Sequence, residues 1–264
     1  MKDNKIRYYS SYDEDFFQIG KEYKLKKNYE YVSRNPLFYV LSAIVYFLAL
    51  IFSVIYCKLF LRVKFVGRKK LGKEKRGFFL YGNHTHPIGD VFNPGLMCFP
   101  KRVYSVVSVL NMHLPVIGRL LRPLGAIPVP DRISGIRKFT SAINKRYSEG
   151  HPIVIYPEAH LWDYYTHIRP FSDTPFRYPA ELNAPVYSFT TTYQKRRFGK
   201  KPKITIYIDG PFSSDADEVR TRSRELCEKC TEAMKKRAKL STYQYVRYEK
   251  REKTTAIDNL VKKG

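Results

Sequence analysis

The sequence predicts an α/β fold in which a central mixed sheet is flanked by helices, with an N-terminal membrane helix ahead of it. Three observations carry this reading. Short apolar or β-branched runs alternate with amphipathic stretches from residue 63 onward, which is the pattern of strands and covering helices. No internal repeat or low-complexity linker divides that region. Ahead of it, "LFYVLSAIVYFLALIFSVIYC" (37–57) runs without a charged residue, and at about 1.5 Å per residue such a helix crosses roughly 30 Å of hydrocarbon. The chain therefore divides into a basic and aromatic N-terminal segment (1–35), a membrane helix (36–62), one catalytic-sized domain (63–250) and a polar tail (251–264).

The apolar run begins too far from Met1, and is too long, to be the core of a cleaved signal peptide. A core helix of the same length would show a polar face. Arg34 precedes it, and Lys58, Arg62 and Lys64 follow. The stretch "KFVGRKKLGKEKRG" (64–77) is far more basic than the mixed-charge N-terminal segment, so the positive-inside rule puts the larger part of the chain on the cytoplasmic side of the cell membrane. A full span is not required, because residues 1–35 carry lysines too and the helix could re-enter or lie in one leaflet. Strands are expected at 77–81, 103–110, 126–129, 152–156, 185–193 and 203–208, largely covered on both faces. Between them, Ile136, Phe139, Ile143 and Tyr147 share one face of a helix over 134–149, with Gly150 as its stop. A second amphipathic, basic helix is expected over 215–240.

The charge balance narrows the partners. Lys and Arg total 48 against 24 Asp and Glu, a net +24, and such an excess seeks a polyanion. No helix-turn-helix, zinc-finger or RNA-recognition signature accompanies it, so nucleic acid is not expected. A basic stretch abutting an apolar helix fits anionic lipid instead. The 4 cysteines (Cys57, Cys98, Cys227, Cys230) are too sparse and irregular for a disulfide framework and read as thiols.

In open α/β sheets, sites form at the carboxyl ends of strands, and four stretches place chemistry there. "YGNHTHPIGD" (81–90) carries Asn83, His84, His86 and Asp90; "LGAIPVPDR" (124–132) ends in Arg132; "IVIYPEAH" (153–160) carries Pro157 and Glu158; "NAPVYSFTTTY" (183–193) is a strand opened by Pro185. A neutral imidazole oriented by a carboxylate is a base near neutral pH, and an arginine fork suits a phosphate. No Gly-x-Ser-x-Gly nucleophile elbow is present, which favours direct attack over a covalent intermediate. Two blander readings stand beside this one: His84 and Asp90 as caps of a helix starting near Val91, and Glu158 as a helix cap. A rival chemistry is a metal-dependent hydrolase with His84 and His86 as its first two ligands, drawing others from His113, His151 or His160.

In their order these blocks resemble the glycerolipid acyltransferases of the lysophosphatidate (1-acyl-glycerol-3-phosphate) type. Asn83-His84 with Asp90 resembles the family's Asn-His followed by Asp. Asp131-Arg132 resembles its apolar strand ending in Asp-Arg, and Tyr156-Pro157-Glu158-Ala159-His160-Leu161 is similar to its Phe-Pro-Glu-Gly-Thr-Arg. Pro185-Val186 resembles the strand opened by a proline. The likeness covers roughly residues 60 to 210. It departs in spacing, since the family has four residues between its His and Asp, whereas five lie between His84 and Asp90 and three between His86 and Asp90. Ala159 stands for a glycine, Leu161 for an arginine, and Pro130 is extra.

The resemblance implies a membrane-bound enzyme that moves a fatty acyl group from a thioester to the hydroxyl of a lysophospholipid or related glycerolipid. The donor is acyl-CoA or acyl carrier protein, as co-substrate, with no cofactor and no metal. His84 is implied as the base and Asp90 as the carboxylate that orients it. Arg132 would hold the acceptor phosphate, and Glu158 would position a glycerol hydroxyl or the arginine itself. Asn83 and Pro157 would line the substrate site, and Arg169 or Arg177 would supply the cation that Leu161 lacks. An inactive, lipid-binding relative is the non-enzymatic alternative.

Overall fold

The computed structural model describes residues 5–17, 23–115 and 117–251. In chain order its elements are β1 (Lys5–Tyr9), α1 (Pro36–Ser53), which continues as π-helical turns over Val54–Phe60, β2 (Lys64–Val66), α2 (Lys69–Lys73), β3 (Phe78–Gly82), α3 (Gly89–Cys98), β4 (Tyr104–Val107), α4 (Val109–Met112), α5 (Ile117–Leu121), β5 (Ala126–Pro128), α6 (Ile133–Ser148), β6 (Pro152–Ile155), α7 (Arg177–Leu182), β7 (Val186–Gln194), β8 (Lys203–Phe212), α8 (Val219–Ala238) and β9 (Val246–Lys250).

Seven strands form one sheet in the order β2-β8-β7-β3-β6-β4-β5. From β7 to β5 all neighbours are parallel; β8 turns antiparallel onto β7 and takes β2 parallel to itself. The sheet is thus mixed, with helices on both faces. Side chains alternate across a strand, and β3 separates the two cores accordingly. Phe78 and Leu80 join Leu96, Met97, Phe189 and Ile206 under α2, α3 and the end of the apolar helix. Phe79 and Tyr81 join Phe139, Ile143, Leu226 and Met234 under α6, α7 and α8. All of β3 is buried, as expected where helices cover both faces of parallel strands. Gly82 closes it because the Phe189 ring takes the space of a side chain, standing about 2.1 Å from where a Cβ would be.

The expected strand over 103–110 stops at Val107, because the Ser108 hydroxyl accepts from the Leu110 N–H and starts α4 instead. Three strands and four short helices go beyond the sequence reading: β1, β2, β9, α2, α4, α5 and α7; α3 starts at Gly89, near where the capping reading puts a helix. The N-terminal segment is not separate from the body. β1 pairs in parallel with β9, Lys5 opposite Val246 through Tyr9 opposite Lys250. Tyr9, Tyr12 and Phe16 pack on the buried Trp162, whose Nε1 donates to the Glu14 carbonyl at 2.8 Å.

The apolar helix is capped by Asn35, whose side chain accepts from the Leu37 N–H, with Pro36 at the first helical position. With its π-helical extension it is long and apolar enough to cross a membrane, and only 11% of its most apolar window is buried. Leu37, Val40, Leu41, Ile44, Phe47, Leu48 and Ile51 face outward. Its inner edge is stitched to the body along its length. Ser42 Oγ donates to the Pro123 carbonyl at 2.6 Å, Tyr46 OH accepts from the Val103 N–H at 3.0 Å, and Phe52 meets Phe92 with ring centroids 5.1 Å apart.

Both flanks of the helix therefore belong to the same folded body. A single cysteine placed at exposed Ser10 and another at exposed Arg247, tested in turn, are expected to react with a membrane-impermeant maleimide from the same side of sealed vesicles, the four native thiols being buried. Labelling from opposite sides would mean that β1 does not pair with β9 in the membrane.

Candidate functional site

β3, β6, β4 and β5 are parallel neighbours, so the loops that follow them open on one edge of the sheet, and each expected site residue lies there. The loop after β3 is built around Asp90, in the first turn of α3. Its Oδ2 accepts from three groups: His84 Nδ1 at 2.8 Å and the backbone N–H groups of Thr85 and His86, both at 2.9 Å. The carboxylate side chain is 1% exposed and that of His84 is 24% exposed. With the proton fixed on Nδ1 by the carboxylate, the other ring nitrogen of His84 carries the free lone pair, and the ring is partly open to solvent.

Tyr156, just after β6, clamps the imidazole. Its ring stacks on His84 with centroids 4.6 Å apart at 28°, and its hydroxyl donates to the Asp90 carbonyl at 2.6 Å. Burial drives the Tyr156 phenol well above its ordinary value, so it stays a neutral donor. Thr85 is tied to Tyr193 of β7: its carbonyl accepts from Tyr193 OH at 3.0 Å, and the two hydroxyls lie 2.9 Å apart.

His86 points inward. Its Nδ1 accepts from the Gly89 N–H at 2.8 Å, which puts any ring proton of the neutral form on Nε2. Burial lowers its pKa, against the pull of Asp90. Gly89 is required here, since a Cβ would stand 2.7 Å from His86 Nδ1 and 2.8 Å from Asn93 Nδ2. His86 Nε2, Asp90 Oδ1 and the Asn93 amide are buried without a protein partner among the described residues, which concentrates unmet polar capacity behind His84.

Glu158 sits in the turn after β6, fully buried against an equally buried Arg169. Its Oε2 accepts from Arg169 Nη2 at 3.1 Å and from the His84 N–H at 3.2 Å, and its Oε1 accepts from the Arg169 N–H at 3.1 Å. Burial pushes the carboxyl up, while the guanidinium and the two backbone donors pull it back. Glu158 thus holds the His84 loop from behind. The arginine it positions is Arg169 and not Arg132, and with no exposed oxygen it has nothing to offer a glycerol hydroxyl. Arg169 also donates to the His160 carbonyl and stacks over Trp162. It is committed to the protein and does not stand in for the missing arginine at Leu161, whereas Arg177 is 71% exposed and paired with Glu181 at 2.7 Å.

Asn83 is likewise spent on the fold. Its amide donates to the Thr191 carbonyl at 3.0 Å and accepts from the Thr191 N–H at 2.8 Å, which brackets β3 to β7 and leaves no group for a substrate. Pro157 lies in the turn closed by the Ala159 N–H to the Tyr156 carbonyl at 3.1 Å, and Ala159 has φ of 61°, the conformation in which glycine is favoured. Arg132 precedes α6 with its side chain 49% exposed and its Nε 3.7 Å from Asp131. It shares the edge with His84 but lies three strand spacings away, about 14 Å.

The rival hydrolase lacks a ligand set. Among the described residues no three His, Cys, Asp or Glu side chains are grouped to hold a metal ion. His113 stacks on Tyr23, His151 packs on Tyr104, and His160 lies 3.4 Å from Asp15.

The chain is similar to the 1-acyl-sn-glycerophosphate (LPA) acyltransferase PlsC from Thermotoga maritima, with a TM-score of 0.49 and 12% identity, over 76% of this chain and 93% of that one. No protein-family model and no curated protein matches the sequence.

The buried His86 gives a pH signature. The unfolded chain takes up a proton on this imidazole near its ordinary value of 6.5, whereas the folded chain resists until lower pH. Unfolded molecules then bind more protons in that window, so this contribution to stability is lost as pH falls through about 6.5. The melting temperature of the protein relative to His86→Asn, which keeps an acceptor for Gly89, is expected to drop on acidification. A pH-independent difference would mean that His86 titrates normally.

Proposed function

We propose that the chain is a membrane-attached acyltransferase that moves a fatty acyl group from a thioester to a lipid hydroxyl, with His84 as general base. The observation that carries this reading is the 2.8 Å contact between His84 Nδ1 and Asp90 Oδ2 at the carboxyl end of β3, with the imidazole partly exposed ahead of α3, the helix on which the apolar helix packs. The order of the sequence blocks around it supports the same chemistry.

In this reading the acceptor hydroxyl gives its proton to the free ring nitrogen of His84 as its oxygen attacks the thioester carbonyl. The thiolate leaves, and Asp90 stabilises the imidazolium in the meantime. Tyr156 holds the ring face-on, and Glu158 with Arg169 holds the loop. The acceptor is a lysophospholipid or related glycerolipid that spans from His84 toward Arg132, where the guanidinium receives its phosphate. The donor is acyl-CoA or acyl carrier protein. Because both flanks of the apolar helix are on one body, the helix lies in one leaflet and presents the sheet edge to lipid at the membrane surface, on the cytoplasmic side.

Membranes containing the protein, supplied with a labelled acyl thioester and a panel of lysolipids, test the reading by mass spectrometry of the products. His84→Ala and Asp90→Asn are each expected to lower the rate at least about 100-fold, the scale of a lost general base, while His86→Asn lowers it far less. An active His84→Ala protein would sink the assignment. Tyr156→Leu is expected to lower the rate by about fivefold and shift the acid limb of the pH–rate profile, with Tyr156→Phe restoring most of both, since an aromatic stack is worth about 1 kcal/mol. Equal losses in the two variants would assign the effect to the hydroxyl on the Asp90 carbonyl and not to the stack. Arg132→Ala is expected to raise KM for a phosphorylated acceptor with little change in kcat, and Arg132→Lys to restore it only in part; an unchanged KM removes Arg132 from the site.

A further inference from the structure

The loop between β7 and β8 is a second cationic feature that the catalytic reading leaves unused. Residues 195–203 read "KRRFGKKPK", six cations in nine positions, and no acidic residue occurs from 182 to 208. None of the six is ion-paired among the described residues. A stretch of bare charge on a tight hairpin repels itself, so its concentration here calls for an anionic partner. At the tip Gly199, with φ of 88°, makes the turn, and Phe198 is 79% exposed with Arg197 over its ring at 5.4 Å.

The loop leans on the end of the apolar helix. Arg196 Nη2 donates to the Leu61 carbonyl at 2.7 Å. Between the two lies a cavity of about 360 Å³, walled by Tyr56, Phe60, Tyr164 and Ile204, with Arg196 and Lys201 on its polar side. That volume is within the range of small-molecule sites. Leu59 and Phe60 beside it are 65% and 70% exposed, so the apolar surface of the helix runs directly to the mouth of the cavity. Tyr164, one wall, meets His86 edge-on at 5.5 Å and donates its N–H to the Thr85 carbonyl. The cavity is therefore behind the His84 loop and separate from the exposed imidazole.

We propose that this loop and cavity bind the headgroup of an anionic phospholipid in the bilayer. Arg196 and Lys201 take the phosphate at the cavity, Lys195, Arg197, Lys200 and Lys203 face the surrounding headgroups, and Phe198 enters the acyl layer. Continuity with the exposed helix end selects a bilayer over nucleic acid, which offers no hydrocarbon for Leu59, Phe60 and Phe198 to enter. This goes beyond the acyl-transfer reading and shares with it only the membrane attachment through α1.

The test uses the full chain, diluted from detergent and floated with vesicles of phosphatidylcholine alone or phosphatidylcholine with phosphatidylglycerol, with thermal melts as a check on folding. The protein is expected to bind both, and the anionic vesicles more tightly. Arg197→Glu/Lys200→Glu/Lys201→Glu is expected to weaken binding to the anionic vesicles at least about tenfold and to leave binding to the neutral ones unchanged. Phe198→Ser is expected to weaken binding to both. Should the triple variant not fold, Arg197→Gln/Lys200→Gln, both at exposed positions, gives a smaller loss with the same selectivity. A folded variant that keeps its preference for anionic vesicles overturns the proposal. So does displacement of the native protein from anionic vesicles by inorganic phosphate at matched ionic strength, which would make the ligand a free phosphate. Tighter binding to a single-stranded RNA than to anionic vesicles overturns it too. Native protein that binds anionic vesicles and ignores neutral ones would instead refute attachment through α1 and leave the loop assignment standing.

Discussion

A single carboxylate oxygen, Oδ2 of Asp90, accepts the His84 ring and the backbone N–H groups of Thr85 and His86, and the whole passage from β3 into α3 takes its shape from that convergence. A buried carboxylate without donors would be strongly unfavourable; with three, it becomes a fixed point from which the chain cannot stray. The three donors come from consecutive residues, so the turn must curl around the oxygen, and the curl throws His84 outward and His86 inward. Asp90 in the first helical turn also sits where the helix dipole favours negative charge. Gly89 and Tyr156 are consequences of the same point: one lets His86 approach, the other ties the Asp90 carbonyl to the end of β6.

A second fixed point lies deeper. The Glu158–Arg169 pair is fully buried, and such pairs seldom add net stability over an apolar replacement. Its value here is connection. Glu158 receives the His84 N–H, while Arg169 reaches the Tyr12 carbonyl at 3.3 Å and lies over Trp162. Through two side chains the exposed imidazole is joined to the N-terminal arm, and breaking either partner would strand a charge beneath the site.

The central strands were legible because they are buried on both faces and read as unbroken apolar runs: "FFLYG" and "PIVI" leave little else for the chain to do. α6 was legible from its period. α3 was legible only as a helix start near Val91, because Pro94 and Gly95 interrupt the apolar spacing that would mark its length. β1 and β9, "KIRYY" and "VRYEK", carry charges and find their partners only at the far end of the chain. The site shows the same division. His84 and Asp90 are close in sequence, and the spare residue between them is taken up in the turn, so they could be paired by inspection. The partner of Glu158 could not, since Arg169 belongs to no motif and Arg132 does. Asn83 sits beside the histidine in the motif, yet its amide answers to Thr191, which no local pattern reveals.

The parallel pairing of β1 with β9 sets an order in time. The first strand made must wait for almost the last, and a contact so remote in sequence carries the loop-closure entropy of the intervening chain. Synthesis proceeds from the N-terminus at about 5–20 residues per second, so α1 leaves the ribosome long before Val246 exists. The apolar helix is complete while the arm ahead of it is still unanchored, and Tyr9, Tyr12 and Phe16 close over Trp162 only once the final strand arrives. The arm acts as a latch fastened at the end of assembly.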